Sequence, residues 1–160
     1  MKTKLIALLL IAGFAACTNK SNSNAATEVK TVNHKEGGMK NLVSIAEIPV
    51  NDFTRAVNFY QAILSVKIEE MDMDGVKMGI LPSDGETVNV VLAKGNDYQP
   101  STNGALLYLN AGKDLKPVLD KIAQNGGKVL VPKTAISPEM GFFALFMDTE
   151  GNKLGLHSIN

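Results

Sequence analysis

"NLVSIAEIPVNDFTRAVNFYQAIL", Asn41–Leu64, changes its hydrophobic period halfway along. Over residues 41–50 apolar and polar side chains alternate, and on a pleated strand alternation sends the two sets to opposite faces. From Asn51 onward the apolar positions are Phe53, Ala56, Val57, Tyr60, Ile63 and Leu64. Steps of three and four make a single stripe on a helix. Asn51 or Asp52 stands where an N-cap accepts the first free N–H groups. Three strand candidates follow, Val66–Met71, Val76–Leu81 and Thr87–Ala93, divided by "MDMDG" and "SDGE". Each divider carries Gly, the residue for which positive φ is cheap.

"KGNDYQPSTN" breaks the pattern, and the same order then begins again. "GALLYLNAG" reads as a strand. "KDLKPVLDKIAQNGG" reads as a helix with Leu115, Val118, Leu119, Ile122 and Ala123 on one face. Asp114 is placed to cap it, Pro117 is tolerated in the first turn, and Gly126–Gly127 end it. Lys128–Pro132, Gly141–Met147 and Lys153–Ser158 are the next strands, the last two joined by the acidic turn Asp148–Asn152. The order is therefore β-α-β-β-β twice. Neither half is large enough to bury a core comfortably alone. The expected architecture is α+β: two tandem βαβββ modules forming a curved mixed sheet, helices outside and a cavity on the concave face.

The first forty residues are of a different kind. "MKTKLIALLLIAGFAAC" has Lys2 and Lys4, an apolar run over 5–12, then small residues leading to Cys17. That is the grammar of a secretory signal, and the run is shorter than the roughly 20 apolar residues a bilayer span needs. "FAAC" resembles the bacterial lipobox, which implies cleavage before Cys17 and lipidation of its thiol. The expectation is a signal peptide over 1–16, a lipidated Cys17 with a polar tether over 17–40, and a domain over 41–160. An acylated cysteine of this type anchors stably to a membrane, which points to a bacterial cell envelope. His34 falls in the tether and is read as a solvated side chain. Cleavage would also remove Lys2 and Lys4, leaving 14 basic residues against 16 acidic ones.

Composition excludes several classes. Of 160 residues 45% are apolar and 20% charged, the balance of a globular domain. Basic and acidic residues are equal in number, with no basic stripe, so nucleic acid is not an expected partner. The single Cys rules out a disulfide within the chain. No Gly-rich phosphate loop, Ser-His-Asp spacing or Cys-His pair offers nucleophilic chemistry. Met71, Met73, Met78, Met140 and Met147 raise soft-metal binding, but their spacing is read as core filling.

The repeat, "IAEIPVNDFTRAVNFYQAIL" and "GFFALFMDTEGNKLGLH" together resemble the vicinal oxygen chelate superfamily, which includes glyoxalase I, bleomycin-resistance proteins and extradiol dioxygenases. The opening Glu47–Asp52 is similar to that of the group called glyoxalase-related predicted enzymes. The resemblance covers Asn41 to Ser158 and implies a divalent metal on the concave face, held by His, Gln and Glu, acting as a Lewis acid. Carried over by spacing, its ligand positions fall on Ile45, Gly104, Gly155 and, in the fourth strand, Val91. None of these can ligate a metal, so no metal and no other cofactor is expected. By strand parity Glu47 shares a face with Ile45, Asn89 with Val91, Tyr108 with Gly104, and His157 with Gly155. These four are the candidate ligand-binding residues, few polar groups in an apolar cleft. Blander uses exist for each: Glu47 salt-linked to Arg55 or a lysine, Asn89 on the strand surface, Tyr108 in the core with its hydroxyl out, His157 solvated near the chain end.

The expected function is an envelope-anchored protein that binds a small organic molecule without the usual metal. The alternative is a superfamily enzyme, a glyoxalase-related lyase or isomerase or a dioxygenase-like catalyst, with an atypical site. A third class is an interaction module with a vestigial cavity. Expected partners are a small organic molecule and the membrane through Cys17 alone, with a homodimer allowed.

Overall fold

The computed structural model describes residues 41–85 and 87–160. The signal, Cys17 and tether expectations lie outside them. In chain order the elements are β1 (Ile45–Pro49), α1 (Phe53–Leu64), β2 (Glu69–Met73), β3 (Val76–Ile80), β4 (Asn89–Lys94), β5 (Tyr108–Asn110), α2 (Lys116–Gln124), β6 (Lys128–Ser137), β7 (Gly141–Met147) and β8 (Lys153–Ser158). This is β-α-β-β-β twice. The strands form two four-stranded sheets, ordered β1-β4-β3-β2 and β5-β8-β7-β6. In each, the first and last strands of a module pair in parallel and the others antiparallel. The same topology arises twice because the same pattern is written twice.

Asp52 is the N-cap of α1: its backbone is extended and its carboxylate accepts the Arg55 N–H at 3.0 Å. The helix ends on Ser65 in the left-handed region. Its apolar stripe faces both sheets. The Phe53 ring lies against Gly79 of the first sheet. The Phe59 ring lies 6.4 Å from that of Phe146 in the second. A contiguous core joins these residues to Ile48, Tyr60, Ile63, Leu115, Ile122 and Leu156. In each sheet the other face is turned away from this core.

Among the strand boundaries that differ from expectation are those of β5 and β6. β6 runs past Pro132 to Ser137, with register shifts against β7. Proline lacks a ladder N–H, but β6 is an edge strand, where bulges and a missing donor are tolerated. β5 is shorter than expected, only Tyr108–Asn110, and Gly104 precedes it in a loop with φ +112.

Candidate functional site

The acidic turn before β8 positions everything around it. Asp148 is buried, and its carboxylate accepts from Glu150 N, Asn152 N, the Asn152 side-chain amide and the Tyr60 hydroxyl, the last at 2.7 Å. Glu150 reaches the first module. Its carboxylate accepts from Asn51 N at 3.0 Å and Asp52 N at 2.8 Å, and pairs through both oxygens with Arg55 at 2.8 and 3.0 Å. Asn152 donates to Pro49 O and accepts from Ser101 N. Three alternate side chains of one turn, Asp148, Glu150 and Asn152, thus clamp the two modules. Burial pushes the Glu150 carboxyl up, but the bonds from Arg55, Asp52 N and Thr149 outweigh it and hold it below the usual carboxylate range. Burial, then the Asp148 charge and hydrogen bond, push the Tyr60 phenol well above its ordinary value.

β8 leaves this clamp and carries Gly155 and His157 on its core-free face, since Leu154, Leu156 and Ser158 take the core face. Tyr108 of β5 is the register partner of Gly155. Its ring leans across Gly155: a Cβ there would lie 2.2 Å from Tyr108 Cδ1 and 2.4 Å from Cε1. Phe143 stands edge-on to the same ring, centroids 6.4 Å apart. The place a side chain would occupy at position 155 is filled by a phenol ring.

The repeat corrects one assignment. Glu47 pairs with Val91 as Tyr108 pairs with Gly155, and each is followed by a buried core residue, Ile48 or Leu109. Ile45, two residues before Glu47, therefore corresponds to Leu106, two residues before Tyr108, and not to Gly104. The four equivalent positions are Ile45, Val91, Leu106 and Gly155. Three alkyl groups and a glycine under an aromatic ring do not fit the superfamily's divalent metal. Among the described residues no three His, Cys, Asp or Glu side chains are grouped to hold a metal ion.

Tyr108 and His157 come together. With Asn110, Gly112, Ser158 and Ile159 they line a cleft of about 400 Å³. His157 Nε2 lies 2.7 Å from Met140 O, which fixes the ring. Glu47 and Asn89 lie on the core-free face of the first sheet and do not line that cleft. Glu47 is exposed and accepts a hydrogen bond from the Tyr98 hydroxyl at 3.1 Å rather than pairing with Arg55. That bond, with partial desolvation, raises the Tyr98 phenol. Asn89 is exposed opposite Ile45. A larger cleft of about 800 Å³ is walled by Leu64, Leu81, Val90, Leu107 and Val118 among others. Tyr108 and Asn110 border both clefts. Asn110 and Tyr98 were not singled out from sequence. Parity with Tyr108 would have found Asn110, whereas Tyr98 sits in the irregular 95–103 segment where no period exists.

The family model for the glyoxalase/bleomycin resistance protein/dioxygenase superfamily matches residues 41–156. The chain belongs to that superfamily. It is 31% identical over 120 residues to a "Glyoxylase-like domain-containing protein" of Didymella fabae, covering 69% of this chain and 88% of that one. Two solved structures share the fold. TnmS3, an antibiotic binding protein from Streptomyces sp. CB03234, has TM-score 0.56 and 24% identity, over 76% of this chain and 98% of that chain. Glyoxalase I from Zea mays has TM-score 0.58 and 16% identity, over 72% of this chain. This chain spans only 44% of the maize enzyme's length.

Proposed function

We propose that the domain binds a small organic molecule without the superfamily's usual metal, anchored to a bacterial cell envelope through lipidated Cys17. The observation that carries the metal-free reading is the Tyr108 ring over Gly155, where the last-strand carboxylate of the usual site would project. The superfamily likeness to an antibiotic binding protein supports the binding class. Of the four residues expected from sequence, Tyr108 and His157 are the proposed contacts, because Glu47 and Asn89 line neither cleft. Tyr108, bordering both clefts, is the platform on which an apolar ring of the ligand rests, and His157 and Asn110 supply hydrogen bonds at its rim.

Native mass spectrometry of protein purified from its own host tests this directly. The expected result is a small organic adduct without divalent metal, diminished in Tyr108→Ala and His157→Ala. One metal per chain, lost on Glu47→Ala or His157→Ala, would favour the enzyme alternative instead. Anchoring is tested separately: Cys17→Ser should move the protein from the membrane fraction to the soluble fraction, and a variant that stays with the membrane rejects the lipid anchor. Among the described residues no helix is long and apolar enough to cross a membrane.

A further inference from the structure

The β2–β3 hairpin presents a group that the proposed function does not use. Its turn is Asp74–Gly75, with φ of 53 and 84. Two positive-φ residues in a two-residue loop make the turn whose twist matches the strands, and such a turn fixes register. Met73 is thereby opposite Val76, and Met71 opposite Met78. Cross-strand partners point to the same face, and so do residues two apart on one strand. Met71, Met73 and Met78 consequently share one face of the hairpin.

That face is not the core face. Gly79, the next residue after Met78, is the one that touches Ile68, Leu92 and Phe53. Met71 is 41% exposed and Met73 51% exposed, and Met78 is half-buried. Core filling, the use expected from their spacing, does not describe them. Cross-strand Cα atoms lie about 4.5–5.5 Å apart and i, i+2 Cα atoms about 6.5–7 Å apart. Unbranched thioether side chains with three rotatable bonds close such gaps.

The surroundings select the occupant. Glu69 lies on the same face, two residues before Met71, and Glu70, Asp72 and Asp74 add negative charge along the strand and turn. Lys77, the nearest cation in the ladder, is opposite Asp72 on the other face. Residues 66–80 contain no His or Cys. Thioethers prefer soft monovalent ions over zinc or magnesium, and the local charge favours a cation. We propose that Met71, Met73 and Met78 form a binding site for one soft monovalent cation, Cu(I) or Ag(I), on the β2–β3 hairpin, separate from the Tyr108–His157 cleft.

The test uses the full chain carrying Cys17→Ser, because the one thiol would otherwise compete. Ag(I) is titrated in while the methionine ε-methyl NMR signals are followed, and Cu(I) affinity is measured against a chromogenic chelator. The expected result is saturation at one equivalent, with the Met71, Met73 and Met78 methyls shifting together and those of Met140 and Met147 unmoved. Losing even an outer-shell partner commonly costs about 10–100-fold in metal affinity, so Met71→Leu and Met78→Leu should each weaken binding at least about tenfold. Leucine at these partly exposed positions keeps apolar volume, and an unchanged melt confirms that the variants fold. Met140→Leu, at another exposed methionine, should leave the affinity as it was. No saturable binding, or equal losses from Met140→Leu and Met71→Leu, would overturn the proposal.

Discussion

The turn Asp148–Asn152 and the strand Lys153–Ser158 that leaves it are adjacent in sequence, yet they hold their polar groups to different ends. Every side chain of the turn that points inward is spent on structure: Asp148 on Tyr60, Glu150 on Arg55 and two N–H groups, Asn152 on Pro49 and Ser101. On the strand, the position facing away from the core is a glycine covered by a neighbour's ring. One motif thus keeps its scaffold half while its ligand half lacks the carboxylate. The lesson is that the two halves are physically separable. The clamp needs the turn's three polar residues, and a metal would need side chains two or more residues further on, so loss of one leaves the other intact.

The comparison breaks first at the clamp. Glu150→Ala leaves the N–H groups of Asn51 and Asp52 without their acceptor and takes from Arg55 its bidentate partner, while the 3.5 Å pairing of Arg55 with Asp52 stays. Arg55 is half exposed and recovers water, so the expected loss is about 2–3 kcal/mol rather than the larger cost of orphaning a buried charge. Chemical denaturation measures it, and a loss below about 0.5 kcal/mol would mean the modules hold together without the clamp.

Gly155→Glu tests the other half. The new side chain must displace the Tyr108 ring, and overpacking of this kind costs about 1–3 kcal/mol. Because Tyr108 is 44% exposed, the ring has somewhere to go, and the low end is expected. Combining Gly155→Glu with Tyr108→Ala should cost less than the sum of the two, a coupling that only direct contact gives. Simple additivity would place the ring elsewhere in solution.

Tyr60→Phe is a smaller change. Asp148 keeps three of its four donors, so the loss should be about 1 kcal/mol near neutral pH. The pH dependence sharpens it. The folded Tyr60 phenol titrates above its unfolded value, so its contribution is complete below about pH 10 and declines as pH rises beyond that. Tyr60→Phe should flatten the alkaline limb of the stability curve. Glu150 behaves oppositely. Its folded carboxyl titrates below its unfolded value, so its contribution is present above about pH 4.3 and is lost as pH falls through the folded value. Glu150→Gln should flatten the acid limb and leave the alkaline one.

How much was legible follows from the same contrast. Periodicity located both helices, and β7 and β8 to the residue, because their apolar faces are buried and must repeat at 3.6 or 2. Pro132 misled because a strand-breaking residue is harmless at a sheet edge. Parity related Tyr108 to His157 because β5 and β8 are direct neighbours, and the two side chains border one cleft. Parity works within a sheet and says nothing between sheets, so it could not relate Glu47 and Asn89 to that cleft. The clamp was invisible for a similar reason: Glu150 and Arg55 are 95 residues apart, and an acidic turn is by itself only a turn. The register Met71↔Met78 was likewise hidden until the hairpin turn fixed it.

Metal content tests the proposed metal-free site most directly. Untagged protein dialysed to equilibrium should be analysed for metals, then titrated calorimetrically with Zn, Ni, Mn, Fe and Mg. No stoichiometric metal after dialysis and no tight binding of any of the five is expected. One tightly held equivalent of Zn, Ni, Mn, Fe or Mg, lost in Glu47→Ala or His157→Ala but kept in Met71→Leu, would contradict it.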